Sequence, residues 1–219
     1  MPIYYDGMLN ATISRDAQGY LIHKNNTQYF IFRGTGNVLD VISDLDFIQV
    51  PFESFPNVKV HRGFYMQFLS IKDSLIKDLD PTKKIVFTAH SLGSSVATLA
   101  AVYFGNLYKD ADITLITFAC PKTGNHAFAQ LFHKTVNLQK TYRFVTEKDA
   151  VPLVAAMYDY VHVSDAYCIK EDCVMLQEYD VHWLVAFYHA MVKTPVYMHA
   201  FNTYIKTLFA LKAIEKTSA

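Results

Sequence analysis

The chain lacks the features that would commit it to a membrane, a nucleic acid or a disulfide framework. No run in its 219 residues approaches the roughly 20 consecutive apolar residues of a membrane span. Neither sign of charge is in excess: 20 Lys and Arg balance 20 Asp and Glu. That balance removes the electrostatic draw to nucleic acid, though a neutral chain can still meet a lipid interface through apolar surface. Cysteine is scarce, at Cys120, Cys168 and Cys173. An odd, small number argues against a disulfide framework. Cys168 and Cys173 stand close enough to pair locally, but free thiols are the expectation without an export signal. The opening MPIYYDGMLN has neither the basic region nor the apolar stretch of a signal peptide. An intracellular (cytoplasmic) protein is therefore expected, or a secreted one whose leader has been removed. Repeats, low-complexity tracts and long polar linkers are also missing.

What is present is apolar and aromatic. Hydrophobic residues make up 52% and aromatics 15%, enough for a large core and against disorder. The length fits one domain over residues 1–219. Tyr20–His23 and Tyr29–Phe32 read as a hairpin turning at Asn25-Asn26. Phe64, Phe68, Ile71, Leu75 and Leu79 recur at helical steps, and Asp80-Pro81 ends that helix. Ile85–Thr88 reads as a strand, Leu92–Leu107 as a helix, and Ile113–Ala119 as another strand. Tyr142–Thr146 and Tyr160–Val163 read as further strands, and His199–Ile214 as a last helix. This alternation predicts an α/β fold, a mostly parallel sheet with crossover helices.

Between the Ile85–Thr88 strand and the Leu92–Leu107 helix stands Ala89-His90-Ser91-Leu92-Gly93. A serine on so sharp a turn needs small residues two places before and after, which Ala89 and Gly93 provide. The turn sets the hydroxyl at a helix N-terminus, where unpaired N–H groups favour negative charge. The N–H of Leu92 can then face a developing oxyanion.

Six blocks in order resemble the fungal-type, class 3 triacylglycerol lipases. They are Phe32-Arg33-Gly34-Thr35, Asp40–Phe47, Val60-His61-Arg62-Gly63-Phe64, the Ala89–Gly93 elbow, Thr117–Asn125 and Arg143–Pro152. The likeness runs from about Tyr20 to Val163. Ala89 and Ala119 stand where that family has Gly, and Val41 where it has Trp. The resemblance implies an α/β-hydrolase fold with helices on both faces of the sheet. It also implies an acyl-enzyme mechanism on lipid or small ester substrates, without metal or organic cofactor.

A serine nucleophile needs a base and the base an orienting acid, in chain order Ser, acid, His in this fold. Asp149 follows a strand, precedes Val-Pro, and falls on the family's acid position. Of the histidines beyond it, His162 reads as a core or rim residue. His182 and His189 share a helical face but have no third ligand of convincing spacing, so a packed helix is read there instead of a metal site. His199 matches the family's H-x-x-x-x-Y pattern at the last helix and is taken as the base, with His182 the alternative. The resemblance gives Thr35 as second oxyanion donor beside Leu92, and His61 and His90 packing roles. Arg33 is a loop anchor on the same ground. Cys120 is expected to be an inert thiol with no cation beside it.

The substrate class expected is acylglycerol, with phospholipase or feruloyl-type esterase, or a catalytically inactive lipase-like binding module, as the competing readings. One more expectation concerns about residues 37–45. Val38, Val41, Ile42 and Leu45 fall on one helical face, opposite Asn37, Asp40 and Asp44. Set just after Thr35, this stretch is expected to form a lid that opens in transient contact with a lipid interface. A fixed surface helix is the alternative.

Overall fold

The computed structural model describes residues 3–6, 18–34, 47–146, 149–153, 159–170, 174–177 and 203–204. Strands β1 (Ile3–Asp6), β2 (Gln18–Lys24) and β3 (Thr27–Phe32) form an antiparallel edge. Asn25 and Asn26 turn the β2–β3 hairpin with φ of 48° and 58°, the left-handed pair that Asn tolerates. A small hairpin, β4 (Gln49–Phe52) with β5 (Phe55–His61), stands outside the main sheet. Helix α1 (Arg62–Asp78) leads back to β6 (Lys84–His90). Helix α2 (Leu92–Leu107) crosses to β7 (Ile113–Phe118), and α3 (His126–Thr135) to β8 (Thr141–Thr146). β9 (Ala166–Ile169) and β10 (Val174–Gln177) complete the order β1-β2-β3-β6-β7-β8-β9-β10. The five strands β3, β6, β7, β8 and β9 run parallel.

The alternation of these strands sorts the core. Phe30, Phe32, Ile85, Phe87, Ile113 and Leu115 are buried with Leu99, Val102 and Phe104 of α2. α2 lies between α1 and α3 and packs on β3, β6 and β7, so these helices form one layer. Their apolar stripes account for it: Phe64, Phe68, Ile71 and Leu75 on α1, Phe128 and Phe132 on α3. On the other face Phe118 and Phe144 stack at 5.3 Å and take Tyr204 against them. Tyr204 belongs to a helical turn in the segment read as the last helix.

Two expectations change. The strand after β8 is β9, not Tyr160–Val163. That segment pairs only through an isolated bridge at Val161 to Gly124, because at its end Val163 O is taken by the His133 ring and the following Ser164 O by Arg143. Cys120 does have a cation near it, since the charge of Arg143 favours its thiolate; burial dominates and pushes the thiol up. Cys120 and Cys168 are buried free thiols, while Cys173 lies outside the described residues. No described helix is long and apolar enough to cross a membrane.

His61 begins α1 by accepting the Gly63 N–H at Nδ1 (3.1 Å) while its ring stacks on Phe64 at 4.3 Å. Its Nε2 has no hydrogen-bond partner among the described residues. Burial lowers its pKa to about 4. The unfolded imidazole takes up its proton near pH 6.5, the folded one only near pH 4, so stability is full above 6.5 and declines as pH falls towards 4. The loss approaches about 3 kcal/mol. In His61→Asn the amide oxygen can replace the cap without titrating. Chemical denaturation at pH 7.5 and pH 5 is expected to show a pH-dependent loss about 2 kcal/mol smaller in the variant.

Candidate active site

The site is built at the carboxyl ends of adjacent parallel strands, where open α/β sheets place their chemistry. β6 ends at His90 and α2 begins at Leu92, leaving Ser91 as the sole hinge. Its backbone has φ 58° and ψ −134°, a conformation that costs a non-glycine residue about 1–3 kcal/mol. A serine at a helix N-cap ordinarily adopts extended backbone and spends its oxygen on a first-turn N–H. Ser91 makes no such capping bond. Its own N–H is held by Phe118 O at 2.9 Å, and Ser94 Oγ donates to Ala89 O (2.9 Å) and Phe118 O (3.1 Å). The turn is thus bound to the end of β7 as well as to its own strand.

Close approach explains the small residues around it. A Cβ on Gly93 would stand 2.7 Å from Arg33 O and 3.0 Å from Phe32 O. A Cβ on Gly34 would stand 2.7 Å from His90 O and 3.2 Å from Ser91 Cβ. The chain leaving β3 therefore passes directly against Ser91, with the Arg33 side chain exposed. Leu92, first residue of α2, has no intrahelical acceptor for its N–H. Thr35, the other expected oxyanion donor, follows Gly34 but lies outside the described residues. So do His182, His189, His199 and the 37–45 segment with Val38, Val41 and Ile42.

Asp149 follows β8, one strand beyond β7, and is only 1% exposed. Its N–H reaches back to Thr146 O at 3.1 Å, and Oδ1 accepts the Val151 N–H at 2.9 Å. Oδ2 accepts the Tyr204 hydroxyl at 2.6 Å. A carboxylate has about four lone-pair positions, so these bonds leave capacity for an imidazole N–H. In the sequence Tyr204 stands out only as the end of the H-x-x-x-x-Y pattern, yet in the fold it bridges the site. Its hydroxyl also accepts the Thr146 N–H at 3.2 Å, and its ring lies 6.0 Å from that of His90. Burial, reinforced by the Asp149 charge, pushes its phenol well above the ordinary value, so it acts as a fixed neutral donor. Ala119, where the class 3 pattern has Gly, sits at φ 53°. The left-handed backbone, costing alanine about 1–2 kcal/mol, is the reason glycine suits this position.

The sequence pattern of the family described as Lipase (class 3) matches residues 29–158, more than half of the chain. The chain belongs to the class 3 lipase family. It is 31% identical over 160 residues to a lipase of Rhizomucor miehei, covering 67% of this chain and 42% of that one. It is 32% identical over 164 residues to the secreted mono- and diacylglycerol lipase A of Penicillium cyclopium, covering 70% and 52%. A solved triacylglycerol lipase, described as having a serine protease triad as its catalytic centre, superimposes with a TM-score of 0.66 at 25% identity. That likeness covers 86% of this chain and 76% of the other. The chain spans about half the length of the curated relatives it matches. The α/β-hydrolase fold expected from the sequence is the fold of these lipases.

Removing the Tyr204 hydroxyl leaves Asp149 Oδ2 and the Thr146 N–H each short of a buried partner. Tyr204→Phe is expected to lose about 1–3 kcal/mol of stability by denaturant titration.

Proposed function

We propose that the protein is a serine carboxylic ester hydrolase acting on acylglycerol-type lipid esters through Ser91, Asp149 and His199. The observation that carries this reading is the backbone of Ser91: a strained, buried serine at a helix N-terminus whose hydroxyl is not spent on capping. Strain retained in a rigid frame is a mark of function. Membership of the class 3 lipases and the names of the relatives supply the substrate class.

In this mechanism Ser91 Oγ attacks the ester carbonyl carbon while His199 takes the hydroxyl proton. The carbonyl electron pair moves to oxygen, which the N–H groups of Leu92 and Thr35 hold, each donor contributing about 2.7–4 kcal/mol. Collapse expels the alcohol, protonated by His199. Water, deprotonated by the same imidazole, then attacks the acyl-enzyme and releases the carboxylic acid. Asp149 keeps the imidazole in the required tautomer and stabilises its charged form. The relatives named as secreted favour an extracellular setting over the intracellular one expected from the first residues. The segment 37–45 is the lid of this reading, with Val38, Val41 and Ile42 on its apolar face, meeting a lipid interface when open.

Turnover of a soluble p-nitrophenyl ester tests the assignment. Ser91→Ala is expected to lose a factor of about 10⁴ or more, and His199→Gln several orders of magnitude. His182→Gln is expected to stay within about tenfold of the parent. Activity in Ser91→Ala above a tenth of the parent would end the serine mechanism, and the reverse histidine ranking would move the base to His182. For the lid, the rate on a short-chain triglyceride should break upward at its solubility limit. Simple saturation through that limit, with unchanged kinetics in Val38→Ser/Ile42→Ser, contradicts a lid.

A further inference from the structure

We infer that His162 is a positioning residue: its Nε2–H holds the turn that carries the acid Asp149 at the register the base requires. The inference rests on the Ser91–Asp149–His199 reading. His162 lies outside the triad, on the segment 159–165 that precedes β9.

The geometry starts at the acid. Asp149 is fixed to the one-turn helical segment Val151–Leu153 through Oδ1 and the Val151 N–H, and Leu153 N–H closes that segment on Ala150 O at 3.0 Å. Any slide of this turn moves the carboxylate with it. Pro152, at its centre, has no N–H to add to the turn, but its carbonyl meets His162 Nε2 at 2.7 Å. A carbonyl only accepts, so Nε2 carries the proton and the neutral imidazole is the Nε2–H tautomer. Burial, with the charges of Arg143 and Lys122 added, keeps this ring neutral well below its ordinary pKa.

A brace acts only if its far end is anchored, and the segment bearing His162 is anchored on every side. Val161 N–H bonds to Gly124 O at 2.9 Å. His133 Nε2 on α3 reaches Val163 O at 2.7 Å, and Arg143 Nε on β8 donates to Ser164 O at 3.0 Å. Tyr160 donates its hydroxyl to Phe47 O at 3.3 Å. The imidazole therefore transmits the rigidity of α3 and β8 to the acid turn. Tyr204 and His162 divide the work, one on the carboxylate and the other on the backbone beneath it. His162 also lines a groove of about 330 Å³ between α3 and its own segment, so a replacement side chain has room to settle without displacing the core.

The test compares His162→Gln, whose amide nitrogen can take the place of Nε2, with His162→Leu, which packs but cannot donate. Both are measured beside Asp149→Asn. The readouts are kcat and KM on a soluble p-nitrophenyl ester across pH, per active site titrated with a phosphonate. The Leu variant should lose about tenfold or more in kcat with KM within about twofold, as a displaced acid turn entails. The acid limb of its kcat/KM profile should move to lower pH, because a misplaced Asp149 stabilises the imidazolium less. The Gln variant should return to within about threefold of the parent kcat, with the limb restored. If the Leu protein does not fold, His162→Asn replaces it, since the shorter amide cannot reach Pro152 O. Parent kcat and limb in Leu or Asn, or a loss that disappears once rates are expressed per titrated site, overturns the inference while a crippled Asp149→Asn leaves the triad standing. An Asp149→Asn protein with parent kinetics overturns both, since His162 acts only through that acid.

Discussion

The contact of Gly93 with the backbone leaving β3 is the constraint on which the site depends. The carbonyls of Arg33 and Phe32 occupy the space a side chain there would need. Helix α2 can therefore start immediately above the sheet, and the single residue left between β6 and α2 must take a left-handed backbone. That residue is Ser91. The same proximity brings Gly34 against Ser91 Cβ and His90 O. The turn at Ser91 and the start of α2 follow from one packing requirement, and any larger residue at 93 would push α2 away from the end of β3.

The second half of the site is arranged by hydrogen bonds instead of by sterics. β7 ends where Phe118 O accepts from both the Ser91 N–H and the Ser94 hydroxyl, and Ala119 N–H continues the ladder to Phe144 O on β8. The acid beyond β8 then stands in fixed relation to the elbow through two strand ends. The bonds from Val151 and Tyr204 restrict rotation of an Asp149 carboxylate that is almost wholly buried, while its own N–H to Thr146 O holds the backbone beneath it. A buried carboxylate with several donors is suited to orienting an imidazole, because it can neither turn away nor be solvated.

Much of this was legible in the sequence where the signal is local. Asn25-Asn26 announced its hairpin because few other residues accept two left-handed conformations in succession. The α1 stripe and the short apolar runs of β6 and β7 gave the parallel sheet, and Ser91 was legible because the elbow needs small neighbours at fixed offsets. The β4–β5 hairpin was hidden by Pro51, Pro56 and a register irregularity at Pro51/Phe52, which break the alternation that marks a strand. Tyr160–Val163 carries strand-like residues, but His133 takes Val163 O and Arg143 the next carbonyl, Ser164 O, and the strand forms further on at Ala166. Tyr204 could not be assigned a role from spacing, since its bond to Asp149 closes a gap of 55 positions that only the fold brings together.

A crystal structure of the protein after reaction with a long-chain alkyl phosphonate tests the central claim most directly, because the adduct imitates the tetrahedral intermediate. Phosphorus is expected on Ser91 Oγ, with the phosphonyl oxygen about 2.7–3.1 Å from the backbone nitrogens of Leu92 and Thr35. An Asp149 oxygen is expected to accept a hydrogen bond from the imidazole of His199. An adduct on another residue, or a phosphonyl oxygen turned away from the N-terminus of α2, would overturn the serine mechanism.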